Sequence, residues 1–308
     1  MIKDEFTYTD PTGTEIFVYA WSPDSPEDIQ GVVQISHGMA ETAARYERFA
    51  RVLNDAGYIV YANDHRGHGK SAKSLDDVGY IGDDGFNWMV KNMAELNEIV
   101  RERHPDLPVF LFGHSMGSFL AQQYIALYGD SLKGAILSGS GGNPGAVINL
   151  GIYLAKRELK RNGDRFRSVT LSKMTFGPYN KGFSPARTDF DWLSRDTAEV
   201  DAYINDPYCG GIFTANFYYH FYKGLRDTFK NRMAERVPKK LPIYIFSGDK
   251  DPVGKNGKGV EQLLQIYQRA GINDVTLKLY PNGRHEMLNE TNRDEVMADV
   301  VTWIDKRV

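Results

Sequence analysis

A single cysteine, Cys209, stands in 308 residues, so no disulfide forms within the chain. Flanked by Pro207-Tyr208 and Gly210-Gly211, it has no activating neighbour and reads as a buried or incidental thiol. Long apolar runs are missing as well. No stretch is long and apolar enough to span a bilayer, and Met1-Ile2-Lys3-Asp4-Glu5-Phe6 lacks the apolar region of a secretory signal. The expectation is a protein of the reducing cytoplasm, whose contact with a membrane is at most transient and superficial. Neither charge sign dominates: 37 Lys and Arg stand against 40 Asp and Glu, a net charge of -3. That balance provides no basic face, which excludes nucleic acid as the main partner. Internal repeats and low-complexity segments are absent too.

What remains is an ordinary globular composition, 42% hydrophobic and 25% charged, at a length that fits one large domain or two small ones. Its organising stretch is Val109 to Ser118. Val109-Phe110-Leu111-Phe112 is wholly apolar, opened by Pro108 and closed by Gly113, as in a strand buried on both faces. After Ser115 the period becomes helical, with Met116, Phe119, Leu120, Gln123, Tyr124 and Leu127 in phase and Gly129 as the stop. Ser115 thus sits at the apex of a strand-to-helix turn, in the G-x-S-x-G pattern Gly113-His114-Ser115-Met116-Gly117. At the N-terminus of the following helix, the free N–H of Met116 can stabilise an oxyanion.

The rest of the chain alternates strand and helix, the pattern of a mostly parallel sheet covered on both faces. Phe6–Thr9 and Ile16–Trp21 read as a hairpin, and Gly31–Ser36, Tyr58–Ala62, Leu132–Ser138, Leu241–Phe246 and Val275–Tyr280 as strands. Helices are expected over Glu41–Ala56, Phe86–Arg103, Gly259–Ala270 and Glu295–Lys306. From Asn143 to Val237 the alternation breaks into helical patterns and loops, with Gly151–Arg161 helical and Ile212–Tyr222 strongly aromatic. The domain expectation is therefore a core of 1–142 and 238–308, with 143–237 inserted as a lid. In such sheets ligands sit beyond the carboxyl ends of the strands. Five loops leave those ends, bearing His37-Gly38-Met39, Asp64-His65, Ser115, Asp249 with Asp251, and His285. A hydroxyl nucleophile needs a base, and the base an acid to fix its tautomer. Ser115, an acid and then His285 is a suitable chain order.

The residues His37-Gly38-Met39-Ala40-Glu41, Asp64-His65-Arg66-Gly67-His68-Gly69-Lys70-Ser71, Gly113-His114-Ser115-Met116-Gly117, Gly248-Asp249-Lys250-Asp251-Pro252-Val253 and Gly283-Arg284-His285-Glu286 resemble the α/β-hydrolase family. Within it they resemble the monoacylglycerol lipase and lysophospholipase-like, serine aminopeptidase S33-type group. The resemblance runs from Val32 to the end and implies the α/β-hydrolase fold with a helical lid and no cofactor. It implies Ser115 as nucleophile, His285 as general base and then acid, and Asp251 as the orienting acid. Asp249 competes for that last role; the family places its acid directly before Pro-Val, which favours Asp251. Backbone N–H groups of Met39 and Met116 would form the oxyanion hole. His65 and His68 have no third ligand nearby, so no metal is expected and the turn reads as a loop brace, while His37 and His114 would shape the site through hydrogen bonds.

The substrate implied is a monoacyl lipid or a similar small ester, held by Phe213, Phe217, Tyr218 and Phe221 on the inner face of the lid, with His220 a further contact. Proline-type aminopeptidases and thioesterases share the triad. A peptidase needs acids for the substrate's amine, and Glu199, Asp201 and Asp206 could serve. A non-catalytic binding protein on this fold is a reading from another class, disfavoured because all three triad positions are filled.

Overall fold

The computed structural model describes residues 1–25, 27, 29–230 and 232–308. Five strands, β3 (Gly31–Ser36), β4 (Tyr58–Asn63), β5 (Val109–His114), β6 (Gly134–Ser138) and β7 (Ile243–Gly248), are buried at every residue. This accounts for their near-continuous apolar sequences. With β1 (Ile2–Thr9), β2 (Glu15–Ser22) and β8 (Val275–Tyr280) they form one eight-stranded sheet in the order β1-β2-β4-β3-β5-β6-β7-β8. The β1–β2 hairpin is antiparallel, as is its junction with β4, and every other pairing is parallel.

Successive side chains of a strand point to opposite faces, and β5 shows the consequence. Leu111 packs with α2 (Gly85–Arg103), α3 (Met116–Tyr128) and α8 (Lys258–Arg269), whereas Phe110 and Phe112 pack with α1 (Glu47–Asp55) and α9 (Arg293–Asp305). The chain reverses direction of travel around β3, whose neighbours are β4 and β5. The loops after β3 and β5 therefore meet at a topological switch point, where such sheets bind ligands.

Several boundaries differ from the sequence expectation by a few residues, and two of the differences have a clear physical reason. β1 begins at Ile2 rather than Phe6, because an edge strand facing water needs no apolar alternation and is protected by charges such as Lys3, Asp4 and Glu5. The helix expected from Glu41 starts as a short 3₁₀ turn, Ala43–Tyr46, before α1. Glu41 is instead folded back to bind Gly38 and Tyr46.

Between β6 and β7 the chain forms α4 (Val147–Asn162), α5 (Val169–Phe176), α6 (Thr197–Asn205) and α7 (Ala215–Lys230). Among the described residues it contains no strand, only an isolated bridge between Arg167 and Thr214. The insertion has two parts. Helix α7 lies on the body: Phe217, Phe221, Tyr222 and Leu225 join the core beneath α2 and α3. Elsewhere Trp192, Leu193, Tyr203 and Cys209 form a small core of their own with Phe176, Tyr179, Phe183 and Phe190, resting on Val253. Burial there pushes the Cys209 thiol well above its ordinary pKa, which keeps it protonated and inert.

Candidate active site

The loop between β5 and α3 is tight because its glycines allow it. A Cβ on Gly113 would lie 2.6 Å from the Gly117 carbonyl oxygen, and one on Gly117 would collide with the carbonyls of Ser36 and His37. Strand and helix thereby close on each other with Ser115 between them at φ 51°, ψ -121°, a conformation rare for a residue with a side chain and characteristic of functional sites. The Ser115 hydroxyl lies 2.8 Å from His285 Nε2, and His285 Nδ1 lies 2.9 Å from Asp251 Oδ1. His285 comes from the loop after β8 and Asp251 from the loop after β7, so three strand ends 170 and 34 residues apart in sequence are brought together.

Asp251 is fully buried, and its carboxylate accepts hydrogen bonds from Ser247 Oγ at 2.8 Å and the Val253 N–H at 2.9 Å. Burial alone would raise its pKa, but His285 and these donors outweigh burial and hold it below the ordinary value. For His285 burial favours the neutral ring, and the Asp251 carboxylate outweighs it, so the imidazole pKa is raised. Asp249 does not take part. Its carboxylate accepts the Asn282 N–H at 2.8 Å, bracing the turn after β8.

The loop after β3 faces Ser115: a Cβ on Gly38 would lie 3.2 Å from Ser115 Cβ. Its backbone is pinned from both sides. The His65 N–H donates to His37 Nε2 at 2.9 Å, which leaves the His37 proton on Nδ1, where it is donated to the Gly38 carbonyl at 2.8 Å. A trans peptide points its N–H opposite to its C=O, so anchoring the Gly38 carbonyl fixes the direction of the Met39 N–H. On the other side the Gly38 N–H donates to Glu41 Oε1 at 2.5 Å. Among the described residues, neither the Met39 nor the Met116 N–H has a protein acceptor, so both are free for a ligand oxygen.

Glu41 also receives Tyr46 Oη at 2.9 Å and Arg45 at 2.6 Å, while Arg45 grips Glu286 with both terminal nitrogens at 2.8 and 2.7 Å. This charge network ties the Gly38 loop to the residue after His285. Burial would raise the Glu286 pKa, but Arg45 overrides it and brings it to about 2. The buried histidines bracing the site go the other way. Burial lowers His37 to about 4, His68 to about 3 and His114 to about 4, and drives His65 well down. None assembles a metal site, and no cluster suited to a metal ion occurs among the described residues.

A cavity of about 490 Å³ opens over Ser115 and His285, within the range of small-molecule sites. Its apolar walls include Met39, Phe176, Phe190, Trp192, Tyr203 and Ile212, with Lys173 and Asp189 at the rim. The aromatic residues expected to line it do not. Phe213, Phe217 and Tyr218 are fully buried, and Phe221 stacks on Phe217 and packs on Phe86 of α2. Phe217, Tyr218 and Phe221 belong to the face that seats α7 on the body, and Phe213 packs into the same core just ahead of the helix. His220 is turned outward toward Asp83, 4.0 Å away. Nor do the acids considered for a peptide amine reach the cavity: Glu199 binds Arg48 and Arg293, Asp201 binds Arg187, and Asp206 caps the turn at Tyr208. Val169, Ser172, Lys173 and Phe176 line the cavity from one face of α5, but most of the wall comes from loops of irregular spacing, which carry no period. A lone tryptophan in the polar stretch 187–196 was the nearest signal.

Comparison with known proteins agrees with the fold. Residues 27–292 match the family described as serine aminopeptidase, S33. A monoacylglycerol lipase of Mycolicibacterium smegmatis is 30% identical over 311 residues, covering 98% of this chain and 97% of its own. The human monoglyceride lipase is 27% identical, over 96% of this chain and 88% of its own. A thermostable carboxyl esterase from Bacillus coagulans, solved in complex with glycerol, superposes with a TM-score of 0.91 at 31% identity, covering 100% of this chain and 99% of that one. The chain belongs to the serine aminopeptidase S33 family and is a monoacylglycerol lipase-like serine hydrolase of the α/β-hydrolase fold.

Proposed function

We propose that the protein hydrolyses carboxylic esters of monoacyl lipids, monoacylglycerols or lysophospholipids, through an acyl-enzyme on Ser115. The Ser115 oxygen attacks the ester carbonyl as its proton passes to His285 Nε2, and the oxyanion takes the N–H groups of Met39 and Met116. Collapse expels the alcohol, which takes the proton from His285. A water molecule, deprotonated by the same histidine, then releases the fatty acid and restores Ser115. Asp251 holds the Nδ1–H tautomer and stabilises the imidazolium. Residues 143–237 act as a cap whose loops hold the acyl chain.

The observation that carries this reading is the relay of 2.8 and 2.9 Å from Ser115 through His285 to Asp251, at the floor of a largely apolar cavity. The esterase and lipase names of the relatives agree with it. An aminopeptidase reading finds less support, because Glu199, Asp201 and Asp206 are engaged away from the cavity.

The test is a panel of p-nitrophenyl esters of rising chain length, run beside monoacylglycerols, lysophospholipids and aminoacyl-naphthylamides, with Ser115→Ala as control. The expected result is ester turnover that rises from acetyl to medium chains and vanishes in Ser115→Ala. Turnover of the naphthylamides above the esters, or a Ser115→Ala variant within tenfold of the parent, overturns it.

A further inference from the structure

His285 has two rings close beside it. The His114 ring is 4.8 Å away between centroids, and that of Trp192 is 5.0 Å away with a tilt of 38°. Trp192 belongs to the insertion, yet it is fastened to the histidine loop by its own backbone. The His285 N–H donates to the Trp192 carbonyl at 3.3 Å and the Glu286 N–H to that of Leu193 at 2.7 Å. The Arg284 guanidinium holds the carbonyls of Asp191 and Ser194, and Ser194 Oγ donates to the Asn289 carbonyl at 2.8 Å. Beneath them Glu290, fully buried, accepts the N–H groups of Arg195 at 3.1 Å, Arg284 at 2.9 Å and Thr291 at 2.9 Å, together with Arg195 Nε at 2.8 Å.

Trp192 is 4% exposed, and its indole N–H is buried with no hydrogen-bond partner among the described residues. A buried tryptophan ordinarily finds a partner for that group, and leaving it stranded is unfavourable. Phenylalanine or leucine would fill the space against Phe176 and Tyr179 without that cost. What tryptophan supplies beyond volume is the most electron-rich face among the side chains, and cations are attracted to such a face. The group it meets is the one that becomes a cation during the reaction.

We infer that Trp192 is a positioning residue for the proton-transfer step, its indole face stabilising the protonated form of His285 and its strap, Asp191–Arg195, fixing the ring's orientation. The insertion is then part of the proton-transfer apparatus as well as a wall of the cavity. This inference rests on the proposed role of His285 as base. The other groups that face or surround His285 are Asp251 and Ser115 in direct contact, the neutral ring of His114, and the carboxylates Glu286 and Glu41, both paired with Arg45. None of these is altered by a change at Trp192.

The test reads the histidine directly. In the Ser115→Ala background, which needs no turnover, the His285 pKa is followed by NMR titration in the parent, Trp192→Phe and Trp192→Leu. Replacement by leucine should lower it by about 0.4–1.5 units, the range of a cation–π contact expressed as a pKa shift. Phenylalanine should restore part of the loss. With Ser115 intact, the acid limb of the kcat/KM profile should move to lower pH by the same amount, and kcat should fall about threefold to thirtyfold. Burial favours the neutral His285 ring, so removing a residue that only packs or lines the wall would change KM or stability and leave the limb in place or move it to higher pH. Should the leucine variant fail to fold, 5-fluorotryptophan and more highly fluorinated analogues at position 192 keep the shape while weakening the face. The pKa should then step down with each fluorine. A pKa that stays or rises in the leucine variant, or is unmoved across the fluorinated series, overturns the inference. An active Ser115→Ala enzyme would instead overturn the proposed function, while the titration remained readable.

Discussion

Buried neutral histidines make this protein sensitive to mild acid, well above the pH at which carboxylates are protonated. His37, His68 and His114 are held near 4, 3 and 4 by burial, against an ordinary value of 6.5. Below pH 6.5 the unfolded chain therefore binds protons that the folded chain does not. Their contribution to stability is complete at pH 7.5 and declines as pH falls from 6.5 toward the folded values. Between pH 7.5 and 5.5 each loses on the order of 1 kcal/mol, so the three together lose a few kcal/mol. His65, His104 and His220, also driven down by burial, add to the loss. Three groups oppose it, since each binds protons more tightly when folded: His285, whose pKa is raised by Asp251 against the effect of burial, Asp64, raised by burial to about 6 from 3.8, and Glu95, also raised by burial. Asp64 returns less than any one of the histidines loses over that interval, which leaves a net loss of roughly 3 kcal/mol, a large share of the 5–15 kcal/mol typical of a folded protein. Urea unfolding followed by tryptophan fluorescence at pH 7.5, 6.5 and 5.5, at constant ionic strength, measures it. A free energy equal at the two extremes within about 0.5 kcal/mol would refute the linkage.

Asp251→Asn should lower kcat by about 10⁴ while Asp249→Asn changes it little, because only the former disturbs the His285 tautomer; steady-state kinetics on one ester decides the order. Arg45→Met strands Glu41 and Glu286 as buried unpaired carboxylates, so a loss of about 3–5 kcal/mol in stability is expected. It should be accompanied by slower fluorophosphonate labelling of Ser115, since the Gly38 loop loses its brace. Phe217→Ala should cost about 3–5 kcal/mol of stability, as for a core ring, and leave the ester chain-length profile unchanged. Phe190→Ala should flatten that profile, each acyl methylene being worth up to about 0.8 kcal/mol, roughly fourfold in kcat/KM. Thermal denaturation and the ester panel separate those two variants.

The site was legible where chemistry is written into consecutive residues. Gly113 and Gly117 announce the turn around Ser115 because no side chain fits where their Cβ atoms would go. His285 and Asp251 were readable from family resemblance, Asp251 lying just beyond the apolar run of β7 and His285 beyond the alternating strand β8. The strands were clear for the same reason. The cavity wall was not. Phe217 and Phe221 share one face of α7, with Phe213 just ahead of the helix, and the same spacing serves a helix lining a pocket or one seated on a core. Only packing against Phe86 and His68 tells which. Phe190, Trp192 and Ile212 stand in loops with no periodicity at all. The Arg45–Glu286 pair joins residues 241 apart, a pairing that no local pattern encodes.

The fastening of residues 191–195 to residues 284–290 bears on how this fold exchanges parts. A segment inserted between two strands invites replacement by that of a relative, as a module that changes preference and leaves chemistry alone. Here such a graft would remove the carbonyls that receive the His285 and Glu286 N–H groups, and the Arg195 partner of Glu290. The exchangeable unit is therefore discontinuous. A chimera that takes 143–237 from a donor should also take the donor's loop and turn corresponding to 284–290, or retain Asp191–Arg195 from this chain. Divergence of the two stretches is expected to be correlated for the same reason, since a change on either side leaves buried donors or acceptors unpaired on the other.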